Sequence, residues 1–421
     1  MSEKWQPAVP VFQIPIWTKP FKVLCGLGAV ALGLVTYREL AGLGPASGMN
    51  DAYAWGIWKT FNTMTLTALG SGGFSIGIAA WLFRRSRLHV VMRSALLISF
   101  LAYLSGLMLL GVDVGRPWNF YWIFTPWRWN VHSPLLEVAF CMPVYAMVPL
   151  LLENVPPVLD WVRENRPQYE SLVERAQGVM MRLYPWIVGL AYILPAVHQS
   201  SLGALMLLGG DRVHPLWQTP WLPLLYLWAA AFMGFACVAG TLLFCSLMWK
   251  RPLDLDVLGE MNGITAGLIA WWLAFRFADL LFRGQLATAF QLNVYSGLFW
   301  MEGLFLGVAV YMLRDSARQR DARLMFHAHL MAAVGGMLYR FDPTTLAFQP
   351  RPGAFYFPTP IELLVSVGFV SLAIAGFVFA VKALAILPAP LRLWYQLEQG
   401  SATKVEAFPG KLPGRQYAAG D

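Results

Sequence analysis

Three proton-exchanging side chains lie inside runs that are otherwise apolar. His198 sits in LPAVHQSSLGALMLLGG (194–210), Tyr103 in AYLSGLMLLGVDVGRPWNF (102–120) and Glu137 in NVHSPLLEVAF (130–140). In lipid each such group is costly, so an intramembrane ionisable residue is read as functional unless a structural partner accounts for it. The spacing places the first two at one depth. His198 stands ten residues before the expected helix end at Leu208, and Tyr103 ten residues before Asp113. At 1.5 Å per residue both lie roughly 15 Å down their helices. Glu137 falls about one turn inside a helix that Ser133 caps and Pro134 opens, where burial favours a protonated carboxyl.

Plainer readings stand beside these. His198 packs between helices and bonds a carbonyl freed by Pro195; Tyr103 is a packing tyrosine; Glu137 pairs with His132 or an arginine. Gln199, Ser200 and Ser201 are available to satisfy freed backbone groups. Asp113 and Arg116, three apart at a helix exit, suit an interfacial salt bridge, and Arg276 with Asp279 suits mutual neutralisation. Glu302 has no obvious local partner. His327 and His329 flank a helix start and are expected at the interface. Paired histidines at one depth in two spans, the usual mark of a b-type haem, are missing, and so is any HxxxH, ExxH or CxxC metal spacing within the spans. No haem and no metal are therefore expected. Cys25, Cys141, Cys237 and Cys245 read as buried thiols.

The elements that must position these groups are membrane helices. The 421 residues are 57% hydrophobic and 13% charged, with a mean hydropathy of +0.53, whereas soluble domains carry about 25% charged residues. An all-α integral membrane protein follows. Ten stretches approach the roughly 20 apolar residues that a span needs: 21–38, 54–83, 90–113, 134–153, 183–208, 221–249, 257–282, 294–313, 323–340 and 361–386. Between them, 154–182 reads as a charged link containing an amphipathic surface helix. Lys19 and Lys22 precede an apolar run without a small-x-small cleavage site, so the first helix is expected to be retained. Of the 31 Lys and Arg, 22 fall on one set of loops and the two termini, which places both termini in the cytoplasm. The net charge of +8 is thus topological, and no nucleic-acid partner is expected. The opposite loops, periplasmic in a Gram-negative cell, are rich in Trp, Tyr, Pro and Gly.

A lipid-soluble quinone matches this chemistry. Its carbonyl oxygens take hydrogen bonds, its reduction takes protons, and its tail needs a greasy wall. The polar, glycine-rich FNTMTLTALGSGGFSIG (61–77) would permit close helix approach or ligand entry. A secondary transporter with a His/Glu proton relay and a membrane anchor without chemistry are the alternatives.

LPAVHQSSLGALMLLGGDRVHPLWQTP resembles the signature segment of the NrfD/PsrC family of membrane subunits, and within it the HybB-like branch of hydrogenase-2. The similarity continues through YAWGIWKTFN (53–62), GVDVGRPWNFYWI (111–123), NVHSPLLEVAFCM (130–142), FRFADLLFR (275–283), FWMEGL (299–304) and FYFPTPIELLVSVGFV (355–370). It implies a single polytopic domain with two four-helix bundles, here 52–208 and 221–340, and two peripheral helices near 21–38 and 361–386. It implies menaquinone or ubiquinone bound in the first bundle near the periplasmic face, with His198, Tyr103 and Glu137 as reactive groups and Gln199, Asp113, Arg116 and His132 around them. It also implies a periplasmic, ferredoxin-like iron–sulfur subunit and a catalytic subunit as partners in the bacterial inner membrane. Some relatives carry a glutamate midway along helix 6. Here Thr241 stands there, leaving Glu302, Asp279 and Arg276 for any proton path.

Overall fold

A computed structural model describes residues 15–53, 56–249, 254–315, 321–350 and 352–388. Parts of two sequence expectations, the side on which the termini lie and positions 54–55 of the YAWG motif, fall outside the described residues.

The described residues form helices and no strand; the only pairings of extended backbone are the isolated bridges Asn50–Tyr53 and Val213–Phe348. Lipid offers no hydrogen bonds to a backbone, so a spanning segment must satisfy its own, and a helix does so within one segment. Among the described residues nine helices are long and apolar enough to cross a membrane, and a tenth, Ala322–Phe341, has 20 residues. We label them α1 (Lys19–Ala41), α2 (Trp58–Leu82), α3 (Ser86–Asp113), α4 (Pro134–Asn165), α5 (Glu170–Leu207), α6 (Leu222–Trp249), α7 (Leu255–Phe282), α8 (Val294–Arg314), α9 (Ala322–Phe341) and α10 (Pro360–Ala383). Short polar caps start several of them. Asp254, Asn293 and Asp321 accept from backbone N–H groups one turn on, and Thr359 with Glu362 forms a reciprocal capping box.

The order of the helices agrees with the sequence, and the 154–182 link contains the expected amphipathic helix, Val155–Asn165, which follows directly on α4 after a turn at Asn154. α4 continues past Glu153 to Asn165, and α5 begins at Glu170 and runs unbroken for 38 residues. The charged stretch that looked like a connection is the projecting ends of two spans, joined by a turn near 166–169. At 1.5 Å per residue α5 is roughly 57 Å long, well beyond the bilayer core.

α1 packs against α10, and α10 against α3; α5 lies between α4 and α6; α9 lies between α6 and α8. The largest buried apolar cluster runs from Met64 and Ala68 on α2, through Leu202 on α5 and Phe232 on α6, to Trp272 on α7 and Phe299 on α8. Lipid tails are as apolar as leucine, so this cohesion comes from packing rather than from escape from water. Close approach makes it possible. A Cβ at Gly234 would lie 2.6 Å from the Gly72 nitrogen, so α2 and α6 meet backbone to backbone. The glycine-rich run on α2 therefore serves close packing, as its composition suggested.

Candidate functional site

α2 is not a regular helix. Its residues Trp58–Thr65 form wide, π-type turns, and a second such stretch covers Ile78–Leu82. Wide turns displace side chains and free carbonyls, and they recur at functional positions. The distorted stretch turns Thr60, Asn62 and Thr63 inward, where all three are fully buried. The Thr60 and Thr63 hydroxyls and the Asn62 carbonyl oxygen make no hydrogen bond.

His198 on α5 is fully buried, with its ring 5.5 Å from that of Tyr103 on α3. Tyr103 packs edge-on against Tyr145 of α4 at 4.8 Å. The Gln199 amide donates to the Tyr103 hydroxyl and to the Thr67 hydroxyl, both at 3.1 Å. Neither ring nitrogen of His198 makes a hydrogen bond of good geometry, and the Gln199 carbonyl oxygen makes none. α5 thus brings unsatisfied groups of His198 and Gln199 beside the Tyr103 phenol of α3. Native interiors rarely leave such groups unpaired. Ser201, one turn beyond His198, donates to the Glu137 carboxylate on α4.

The structure brings His198, Tyr103 and Gln199 together and joins Glu137 to α5, but corrects other expectations. Glu137 is exposed on the surface of the chain rather than buried, although its carboxylate reaches across to α5. Its partner is Ser201, not His132 or an arginine. His132 is exposed and only its backbone N–H is held, by Asn130. Ser133 occupies the N-cap position of α4, but its side chain does not cap. Asp113 does not pair with Arg116. Its carboxylate is 2.6 Å from the Lys59 ammonium of α2, and both side chains are buried, whereas Arg116 is exposed beyond the helix end.

The second half is corrected similarly. Arg276 and Asp279 share one helix face but do not neutralise each other. Arg276 donates to Glu302 of α8 at 2.9 Å, with both residues buried. Its guanidinium lies 4.8 Å from the centre of the Tyr339 ring and 5.2 Å from those of Trp272 and Phe299. Glu302 also accepts from the Trp217 indole at 3.1 Å. Asp279 instead accepts from Thr219 at 3.0 Å and pairs with Arg283 at 2.8 Å. His329 is buried rather than interfacial, its Nε2 2.8 Å from the Asn262 side-chain oxygen; His327 is exposed, as expected.

One residue that the sequence reading missed connects the two regions. Arg340, at the end of α9, is fully buried. It donates to the Met64 carbonyl on α2 at 2.8 Å and to the Tyr226 carbonyl on α6 at 2.7 Å. The Tyr226 ring lies 4.6 Å beneath its guanidinium. Asp342, buried two residues on, faces Glu302. LYRFDP (338–343) carried the signal: a cation and an acid ending an apolar run. In the loop between α5 and α6, outside the spans, His214 stacks on Tyr295 at 4.3 Å, and its Nδ1 accepts from the Leu216 N–H. Burial lowers its pKa below the ordinary histidine range and favours the neutral ring that this bond requires.

Comparison with known proteins agrees with the fold and adds names for similar chains. The family model for polysulphide reductase, NrfD, matches residues 45–342. The chain is 34% identical over 380 residues to a probable Ni/Fe-hydrogenase 2 b-type cytochrome subunit of Escherichia coli (strain K12), across 90% of this chain and 94% of that protein. It is 29% identical over 411 residues to the menaquinone reductase, integral membrane subunit, of Nitratidesulfovibrio vulgaris, across 90% of this chain and 93% of that one.

Proposed function

The chain belongs to the polysulphide reductase NrfD family, and from that premise we propose that it is the quinone-reactive membrane subunit of a respiratory oxidoreductase complex. It passes electrons between a periplasmic iron–sulfur partner subunit and the membrane quinone pool, and a separate catalytic subunit completes the complex. The observation that carries this reading is His198: fully buried in a multi-pass membrane protein, in ring contact with Tyr103, with neither nitrogen in a hydrogen bond of good geometry and the Val138 carbonyl as its nearest backbone acceptor. A ligand with two acceptor oxygens and exchangeable protons would satisfy those groups. The name of the N. vulgaris relative favours menaquinone over ubiquinone as substrate.

In this reading His198 and Tyr103 bond the quinone oxygens, and Gln199 fixes the Tyr103 hydroxyl. Glu137, open on the flank of α4 and tied to Ser201, exchanges protons with the exterior. Asp113, held by Lys59, with Arg116 and His132 outside it, shapes the mouth. The bundle division at 52–208 and 221–340 separates this site from the Glu302–Arg276 cluster, with Asp279 beyond it. That cluster is the acidic material available for proton movement through the second half.

The name of the E. coli relative includes a b-type cytochrome, and the histidines do not suit a bis-histidine haem. His198 is within reach of the Arg340 end of α9. His329 lies eleven residues before Arg340 on that helix, roughly 16 Å away in depth, with its Nε2 taken by Asn262. We therefore read the chain without haem. Purification of the whole complex carrying His198→Ala tests the assignment. Quinone-coupled turnover should be lost while the partner subunits still co-purify. Normal turnover would remove His198 from the site, and solute transport by the isolated chain in liposomes would remove the function itself.

A further inference from the structure

At the end of the molecule away from Asp113 and the His198 site, a tight turn joins α2 to α3. It carries Arg84, Arg85 and Arg87 within four positions. Here the turn and the first part of α7 border an open surface depression of about 520 Å³ lined by Arg84, Arg85, Ser86, Arg87, Asp256 and Glu260. Both signs of charge therefore face one space. Asp256 and Glu260 are one turn apart on α7, so their carboxylates share a side. Arg85 is 3.6 Å from Glu260, while among the described residues Arg84 and Arg87 have no ion-pair partner. Arg84 is also the one non-glycine among the described residues with a positive φ, at 54°. Side chains avoid that conformation unless the surroundings enforce it. Immediately before it, Leu82 is 72% and Phe83 67% exposed, and Trp81 stands with its ring 4.6 Å from that of His89. Guanidiniums, carboxylates and bare apolar side chains thus meet at the boundary between a span and water.

We propose that this depression binds the headgroup of a phospholipid bearing both a phosphate and a primary amine, of the phosphatidylethanolamine type. The phosphate is held by Arg84 and Arg87, whose forked donors match its oxygens. The ammonium donates to Asp256 and Glu260. The acyl chains lie along Trp81, Leu82 and Phe83. The carboxylates disfavour a lipid of net negative charge such as phosphatidylglycerol, and a choline headgroup has no N–H to offer them. Free phosphate shares the guanidinium contacts but gains nothing from the apolar side chains.

Native mass spectrometry of the full chain in detergent tests this with phosphatidylethanolamine, phosphatidylglycerol and phosphatidylcholine of identical acyl chains, and with inorganic phosphate alone. The ethanolamine lipid should be retained at least about fivefold more than the choline lipid. R84Q/R87Q should reduce its retention to the choline level. D256N, at an exposed position and so compatible with folding, should lower ethanolamine-lipid retention while raising that of the glycerol lipid. Equal retention of the ethanolamine and choline lipids, an unchanged profile in D256N, or arginine-dependent binding of inorganic phosphate with no lipid preference would each overturn the proposal.

Discussion

Arg276 and Glu302 show what a buried charge demands of its neighbours. Each is nearly inaccessible, and each is satisfied largely by the other, with Trp217 and three aromatic rings completing the shell. Removing one partner leaves an uncompensated charge, which costs about 3–5 kcal/mol, whereas replacing both with apolar residues of similar volume is often nearly neutral. R276M and E302L should therefore each lower the thermal midpoint of the purified chain more than the double variant R276M/E302L does. Additive losses would show that the pair is not coupled. Local spacing in the sequence pointed to Asp279 as the partner of Arg276 and left Glu302 without one. Spacing reports neighbours along one helix, and here the partner comes from the helix alongside. His198 and Tyr103 were legible because depth can be counted from a helix end. Lys59 and Arg340 were not, since each sits within a turn or two of a span end, where a cation ordinarily marks the interface.

At the scale of the helix, α2 sets the tolerances. Its wide turns direct Thr60, Asn62 and Thr63 inward, and its glycines let α6 approach to backbone contact. Overfilling such a contact costs about 1–3 kcal/mol. Gly234→Ala should lower the thermal midpoint, while Gly267→Ala, whose added Cβ would meet nothing within 4 Å, should leave it nearly unchanged. Equal responses would mean that the approach of α2 to α6 is not limiting. Apolar run length gave the existence and order of the helices. At 154–182 it gave a charged link with an amphipathic helix, and only the direct continuation of that link into both spans went unread, because a span that projects into water becomes charged without ceasing to be helical. The wide turns left no trace in the hydropathy pattern.

For the whole molecule, the distribution of arginine and lysine makes a topological prediction that fusion reporters check. A fluorescent protein joined to the C-terminus should fluoresce in cells, and alkaline phosphatase at the same place should be inactive; active phosphatase would invert the topology. The same orientation puts the Arg84–Arg87 turn on the cytoplasmic side and the aromatic stretch Pro117–Arg128 on the other. That stretch buries none of its residues within the chain, which suits a face met by a partner.

The pairing of α1 with α10 has a consequence for how the protein is made. The Trp58 indole donates to the Glu362 carbonyl and Asn62 to the Ser366 hydroxyl, while the Glu362 carboxylate holds the Gly48 N–H and the Tyr356 hydroxyl. All but the last of these bonds join a segment translated early to one more than 300 residues later. Until α10 leaves the ribosome, α1 has lost its main neighbour, and the distorted start of α2 has groups awaiting partners in lipid. Biosynthesis therefore closes this part of the molecule only once α10 has been made. A nascent chain interrupted before residue 360 would expose those polar groups in the bilayer, as a ready mark for membrane quality control.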